Sequence, residues 1–278
     1  MLTVSDETLA GFLAEDVPFG DLTTRSLGIN AVQGVMTFSA RGAMTLACVE
    51  EAARLIVLAG ATVTLSAQSA DQLDPGQPIL TASGTAEALM AGWKVAQTLV
   101  EWASGIASSA NRIVMAARAA RSDIVVSCTR KAIPGTRALS AKAVLAGGAQ
   151  LHRTGLSETL LVFPEHRAIA QQPLAAQIGC LKRNCPERKI VVEVKSADAA
   201  LAAVDAGADI VQLEKFNPAQ IAALMAAETP DLAAKLIAAG GINADNAAAY
   251  AGTGVAVLVT SAPYTARPCD VQVTIGPA

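Results

Sequence analysis

The sequence predicts an α/β fold built on a parallel sheet, and three observations carry the prediction. Beyond about residue 120, six short apolar segments alternate with helical stretches. The composition is 52% hydrophobic but only 3% aromatic, so the core must be mostly Ala, Val, Leu and Ile, the mix of parallel strands covered by Ala-rich helices. The unusual polar residues of this half gather at or just past one end of the apolar segments.

The first part of the chain has a different pattern. MLTVSDETLAGFLAED has no basic n-region and no long apolar run, so no signal peptide is expected. Residues 33–48 alternate apolar and small residues as strands do, EEAARLIVLAG reads as a helix, and ATVTLSA reads as another strand. Asp74-Pro75-Gly76 is a turn signal. The apolar region 87–120 is interrupted by Lys94, Glu101 and Arg112, so it reads as a buried helix or helix pair and not as a membrane span. Together these predict a small α+β domain that ends in the long helix.

The six apolar segments are IVVSCT (124–129), ETLLVF (158–163), IVVEV (190–194), DIVQLE (209–214), KLIAAG (235–240) and VAVLVTS (255–261). Helices are expected between most of them. SADAALAAVDAG opens on Ser196 as N-cap and ends at Gly207, and Asn217-Pro218 supplies a cap followed by Pro at the first helical position. NADNAAAYAGTG (243–254) again begins with a cap residue and ends in Gly. Six strands of this kind form either a doubly wound sheet or a barrel, and the absence of G-x-G-x-x-G after a first strand counts against a dinucleotide fold.

Bulk properties narrow the function classes. At 278 residues the chain can bury a sizeable core, and 16% charged residues exclude a disordered chain. A net charge of -3 and a pI near 5.5 give no electrostatic footprint for nucleic acid. The five cysteines lack zinc-site spacing and are expected to be reduced thiols of a cytoplasmic protein.

The chemistry-bearing residues sit where a barrel enzyme keeps its active site, past the C-terminal ends of strands. Arg130-Lys131 follow the first strand, Glu193 lies near the end of the third, Glu214-Lys215 close the fourth, Gly240-Gly241 follow the fifth and Ser261 closes the last. Glu193 interrupts a strand otherwise made for burial, so it is either half of a structural ion pair or a carboxylate that faces a metal or a hydroxyl. Gly240-Gly241-Ile242-Asn243 leads toward a helix start, an arrangement suited to phosphate. His152-Arg153 follow Gly147-Gly148, which suggests a close-packed loop presenting both side chains.

At this point the motifs resemble a known family. SCTRKAIPGTRALSAKAVLAGGAQLHRTGLSE (127–158) is similar to the T-R-K-x-x-P-G-x-R … G-G … H-R-x-G-L segment of quinolinate phosphoribosyltransferases. EDVPFGDLTT (15–24), SGIAS (104–108), AGADIVQLEKF (206–216), AGGIN (239–243) and AYAGTGV (249–255) fall in that family's order and spacing. HRTGLSETLLVF (152–163), His166-Arg167 and TSAPY (260–264) resemble its ModD-type subgroup, described as pyrophosphorylases associated with molybdate transport.

The resemblance implies an incomplete, TIM-like α/β barrel over 108–266 and an N-terminal α/β sandwich over 1–107, joined by the tail 267–278. It implies a pentosyltransferase that uses phosphoribosyl pyrophosphate with Mg²⁺, in a homodimer or larger oligomer with shared active sites. Arg130, His152 and Arg153 fall where the family binds the acceptor's carboxylates, and Lys131 falls where a lysine contacts the donor. Glu193 and Glu214 fall on the acidic pair near ribose and metal, and Gly240 and Gly241 on the 5′-phosphate loop. Ser261 stands in place of a usual Gly, and Lys94 in place of the Arg that is lent across the dimer. Phe163 replaces an acceptor-site lysine, and Lys215 replaces an Asn and could restore the charge.

Three functions are compatible with this pattern. The first is phosphoribosyl transfer to an unidentified anionic or heteroaromatic acceptor, linked to molybdate transport or utilisation. The second is the carboxylating nicotinate-nucleotide pyrophosphorylase reaction of NAD synthesis. The third is a non-catalytic binder of a small molecule or oxyanion, which retention of Lys131, Glu193, Glu214 and the glycine pair disfavours. No nucleic-acid or membrane partner is expected.

Overall fold

The structure is a computed structural model that describes residues 3–227 and 234–278. The chain divides into two compact units. The first comprises the chain up to Asn111, Ala132–Gly148 and Pro263–Ala278; the second comprises Arg112–Lys131 and Ala149–Ala262.

In the first unit, β1 (Gln33–Ala40), β2 (Met44–Thr45), β3 (Thr62–Leu65), β4 (Gln72–Leu73) and β5 (Pro78–Thr85) follow the alternating pattern of the sequence. Along β1, Met36, Phe38 and Ala40 are buried while the residues between them face outward, the period-two signature of a half-buried strand. The tail strand Val271–Pro277 pairs antiparallel with β1, completing a sheet in the order tail, β1, β5, β3. β2 and β4 form a separate two-stranded ribbon. The helix Val49–Leu58 buries Val49, Ala52, Leu55 and Ile56 on one face.

The apolar stretch predicted as a helix or helix pair is one helix, Ala86–Ala120. Its polar residues are put to structural use. Ser104 Oγ accepts a hydrogen bond from the Ala47 N–H at 3.1 Å, and Ser108 Oγ accepts from the Thr45 N–H at 2.9 Å. Glu101 does not interrupt the helix, because its carboxylate accepts from the Val271 N–H at 3.1 Å and so holds the start of the tail strand. Gly105 lies between the two serines, and a Cβ there would stand 2.4 Å from the Arg267 carbonyl oxygen. The SGIAS motif is therefore a packing device.

The second unit holds seven parallel strands: β6 (Val125–Cys128), β7 (Gln150–Leu151), β8 (Leu160–Val162), β9 (Ile190–Val194), β10 (Ile210–Glu214), β11 (Leu236–Ala239) and β12 (Val257–Thr260). Their order is β7-β6-β12-β11-β10-β9-β8, so the first and last strands of the series pair with each other. This is the order of an α/β barrel left open between β7 and β8, and it excludes a doubly wound sheet. Six strands match the sequence expectation. β7 was not anticipated because two residues carry no periodicity.

Ser196 caps the helix Ala197–Asp205 through a bond from the Ala199 N–H, and Asn217 Oδ1 accepts from the Gln220 N–H at the start of Pro218–Ala227, both as expected. The helix expected from Asn243 is shorter. It spans only Ala247–Ala251, because Asn243 and Asn246 tie the preceding residues into a turn: Asn246 Oδ1 accepts from the Asn243 N–H and Asn243 Oδ1 accepts from the Asp245 N–H. Among the described residues, no helix is long and apolar enough to cross a membrane.

Gly105→Ala should destabilise the first unit by about 1–3 kcal/mol, since the added methyl meets backbone that cannot rotate away. Denaturant unfolding followed by circular dichroism would register this as a lower midpoint. An unchanged midpoint would show that the tail does not pack against the helix at this point.

Candidate active site

A cavity of about 520 Å³ opens at the C-terminal ends of the barrel strands, and every residue lining it belongs to the second unit. All the site residues expected from the sequence line it except Lys94. The strand order spreads them along an arc. Arg130, Lys131, His152 and Arg153 come from the ends of β6 and β7. Phe163 follows β8, Glu193 lies on β9, and Glu214 and Lys215 close β10. Gly240 and Gly241 follow β11, and Ser261 follows β12. Lys94 lies on the first unit, where its ammonium sits 4.3 Å from the centroid of Trp93 and lines a different depression with Glu15, Asp16 and Trp102.

The cationic end of the arc is built at the opening of the barrel. Arg153 is only 6% exposed, and its guanidinium lies 5.4 Å from the Phe163 ring centroid, so a cation–π contact spans the gap between β7 and β8. Burial, and then the charge of Arg130, pull the Arg153 pKa below the usual arginine value, yet a guanidinium still stays ionised at neutral pH. His152 is different. Burial, reinforced by the Arg153 charge, lowers its pKa, so at neutral pH it presents a neutral imidazole. Phe163 also stacks on His166 with ring centroids 5.7 Å apart, and the Phe163 N–H donates to His166 Nδ1 at 3.0 Å. The wall that carries a lysine in the resembling family is here an ordered aromatic face.

The acidic part follows on β8 to β10. Glu193 and Glu214 face the cavity together with Glu165, and among the described residues neither Glu193 nor Glu214 forms an ion pair. The ion-pair reading of Glu193 is thereby removed. Among the described residues its carboxylate accepts from the Gln212 amide, whose Nε2–H donates to Glu193 Oε2 at 2.9 Å. Burial first, and then repulsion by Glu214, hold the Glu193 carboxyl above the usual carboxylate range, against the lowering effect of the Gln212 bond. Among the described residues no three His, Cys, Asp or Glu side chains form a metal cage. A two-carboxylate set fits Mg²⁺ held jointly with ligand phosphates, as this ion usually keeps only one or two protein carboxylates.

The glycine loop is held in place from both sides. Thr260, 2% exposed, donates from Oγ1 to the Ile242 carbonyl at 2.6 Å, and Asn246 Nδ2 donates to the Gly241 carbonyl at 3.0 Å. Gly240 and Gly241 have φ of 92° and 77°, open to glycine at little cost. A Cβ on Gly240 would stand 2.8 Å from Lys215 Cγ and 2.9 Å from Glu214 Oε1, whereas one on Gly241 would meet nothing. Lys215 itself has φ of 61°, strained for a side chain with a Cβ, and its N–H donates to the Ala239 carbonyl at 2.8 Å. Because the helix beyond this loop begins only at Ala247, phosphate would be met by the loop's own backbone and not by a helix end.

Sequence reasoning missed three lining residues of consequence. Gln212 was readable, as a polar residue on the same face as Glu214 in a strand of Ile, Val and Leu. Glu165, in the short helix after β8, and Thr260 gave no such signal.

The family models for the quinolinate phosphoribosyl transferase N-terminal and C-terminal domains match residues 21–104 and 106–274. A Rhodobacter capsulatus protein named "Putative pyrophosphorylase ModD" is 55% identical over 249 residues, covering 89% of this chain and 96% of that protein. The carboxylating nicotinate-nucleotide pyrophosphorylase of Mycobacterium leprae is 32% identical over 206 residues, covering 73% of this chain and 71% of that protein. The crystal structure of NadC from Streptococcus pyogenes shares the fold at a TM-score of 0.89 and 24% identity, covering 100% of both chains.

The raised Glu193 pKa has a measurable consequence for the ligand-free protein. A folded carboxyl pKa above the unfolded value favours the fold at low pH, and that contribution is lost as pH rises through the folded pKa. Glu193→Gln should therefore raise the thermal midpoint at about pH 8, with a gain that shrinks toward zero near about pH 3, below the unfolded carboxyl's own pKa, where the group is protonated in both states. Thermal scans across that range check this, and a lower midpoint at pH 8 would contradict it.

Proposed function

Because the chain belongs to the quinolinate phosphoribosyltransferase family, we propose that it moves a phosphoribosyl group from phosphoribosyl pyrophosphate to an anionic or heteroaromatic acceptor other than quinolinate. The observation that carries the proposal is the single cavity in which Lys131, Glu193, Glu214 and the Gly240–Gly241 loop stand together with Arg130, His152 and Arg153. The first set suits the donor and the second suits the acceptor. The ModD-like relatives support a pyrophosphorylase-type reaction, and we extend from them a link to molybdate transport or utilisation.

In this reading the donor's 5′-phosphate lies against the backbone of Gly240 and Gly241, with Ser261 as a further hydrogen-bond donor. The ribose faces Glu193 and Glu214, whose negative charge favours the positive charge that develops at the anomeric carbon. The bond from that carbon to pyrophosphate oxygen breaks with both electrons leaving on pyrophosphate, and a nucleophilic atom of the acceptor forms the new bond. Lys131 stabilises the departing charge. Glu193 and Glu214 would hold Mg²⁺ with the donor's oxygens, and the ion would neutralise pyrophosphate charge. Lys215 extends from a strained backbone beside the phosphate loop and is a second cation for the anionic ligands.

Phe163 supports an acceptor other than quinolinate. Two carboxylates in a desolvated pocket need cationic partners, and here one wall is aromatic while burial and the Arg153 charge disfavour a protonated His152. Loss of one charge-assisted hydrogen bond, about 1.5–3 kcal/mol, corresponds to roughly 10- to 150-fold weaker recognition. A screen of acceptors that follows pyrophosphate release would test the proposal directly; failure of every acceptor, together with no binding of the donor, would overturn it.

Two predictions follow from the acceptor and partner assignments. Quinolinate should be turned over poorly, and Phe163→Lys should raise its turnover; wild-type kcat/KM of about 10⁴ M⁻¹s⁻¹ or more would instead restore the NAD-synthesis function. Lys94 lies on the first unit, and on the family resemblance we assign it to the site of a partner copy in a homodimer. Mixing Lys94→Ala with Glu193→Gln protein should then recover activity through hybrid sites that are wild type at both positions. No recovery under verified subunit exchange would count against a shared site.

A further inference from the structure

Gln212 is out of place by the logic of the barrel. On β10 the side chains of Val211 and Leu213 are fully buried on one face, while Ile210, Gln212 and Glu214 alternate with them. In register beside Gln212 stand Glu193 on β9 and Ile237 on β11. Ile237 belongs to an apolar cluster with Ala239 and Val259, against which Ile210 and Val257 pack. Ordinary packing would put another apolar side chain at position 212.

The amide there is only half satisfied. Gln212 is 5% exposed, its Nε2–H donates to Glu193 Oε2, and its Oε1 is buried with no hydrogen-bond partner among the described residues. A buried, unpaired amide oxygen is a net cost to the fold. The bond on the other end does not recover that cost in stability, because the Glu193 carboxylate is only half-buried and water could replace one amide donor. The side chain is thus unfavourable where it stands unless the position of Glu193 matters.

We infer that Gln212 is a positioning residue of the active site, retained to hold the Glu193 carboxylate toward the donor's ribose and not to stabilise the barrel. This rests on the reading of Glu193 as part of the donor site. The amide is suited to the task, since it donates to an ionised carboxylate without adding charge beside Glu193, Glu214 and Glu165. An acid at this position would repel Glu193, and a Met would leave its carboxylate free to turn.

The test uses Gln212→Met, an apolar side chain of similar length, and Gln212→Glu, in the full chain. Binding of phosphoribosyl pyrophosphate with Mg²⁺ is measured by calorimetry and stability by thermal denaturation. For Gln212→Met the two readouts should part: donor affinity falls by roughly 10- to 100-fold, on the scale of a hydrogen bond to a charged group, while the midpoint is at least as high as wild type. Gln212→Glu should lose binding at least as severely. In a Glu193→Gln background, Gln212→Met should add no further loss of affinity, as expected for a residue that acts through Glu193. A lower midpoint with unchanged affinity would make Gln212 structural and overturn the inference, as would additive losses in the double variant. Wild-type protein that does not bind the donor would overturn the donor-site reading itself, a result distinct from wild-type binding that Gln212→Met leaves intact.

Discussion

Three carboxylates share one cavity, with no ion-pair partner for Glu193 or Glu214 among the described residues, and much of the site is organised around that repulsion. Like charges held close in a partly desolvated cleft are tolerated only if the surrounding structure keeps them there. The open barrel does so by geometry, because parallel strands bring their C-terminal ends to one side and place Glu193 and Glu214 on neighbouring strands. In the proposed reading the ligand brings positive character to the acids, either a metal ion or a carbon that becomes electron-poor during reaction. In the same reading phosphate meets the opposite environment, with Lys131, Lys215 and backbone N–H groups of a glycine loop.

This division of charge explains where the protein departs from an efficient acceptor site for a dicarboxylate. Its cations are concentrated at the barrel opening in Arg130 and Arg153, and the second of these is already engaged with the Phe163 ring. The neutral state of His152 and the stacked Phe163–His166 pair leave a wall that suits a flat ring better than a second carboxylate. In the proposed reading the donor half keeps Lys131, the acidic pair and the glycine loop while the acceptor half is altered more, a pattern of one reaction with a changed acceptor.

Much of this was legible in the sequence, and the reasons differ by element. Strands such as IVVEV and DIVQLE were evident because a strand buried on both faces is a continuous apolar run, and polar residues at their ends stand out. Strand β7 was not, being two residues long, and the helix after Gly241 was overextended because Asn243 and Asn246 bond within a turn that looks like a cap. Lys94 was assigned by resemblance, and nothing local in the sequence tells which cavity it serves. Gln212 was readable as a polar residue on the Glu214 face of its strand, but its role was not, because that rests on an oxygen left unpaired among the described residues. The resemblance supplied the roles of Arg130, His152, Arg153 and Lys131, which periodicity alone would have left as loop charges.

The central claim is that the acids of this cavity are assembled for a phosphoribosyl donor and its metal ion. Calorimetric titration of the wild-type protein with phosphoribosyl pyrophosphate, run with Mg²⁺ and with the ion chelated, tests it most directly. The account predicts saturable binding at one site per chain with Mg²⁺ and a loss of at least about tenfold in affinity without it, since the carboxylates then face the donor's phosphates unshielded. Binding of equal strength in both conditions, or none in either, would contradict it.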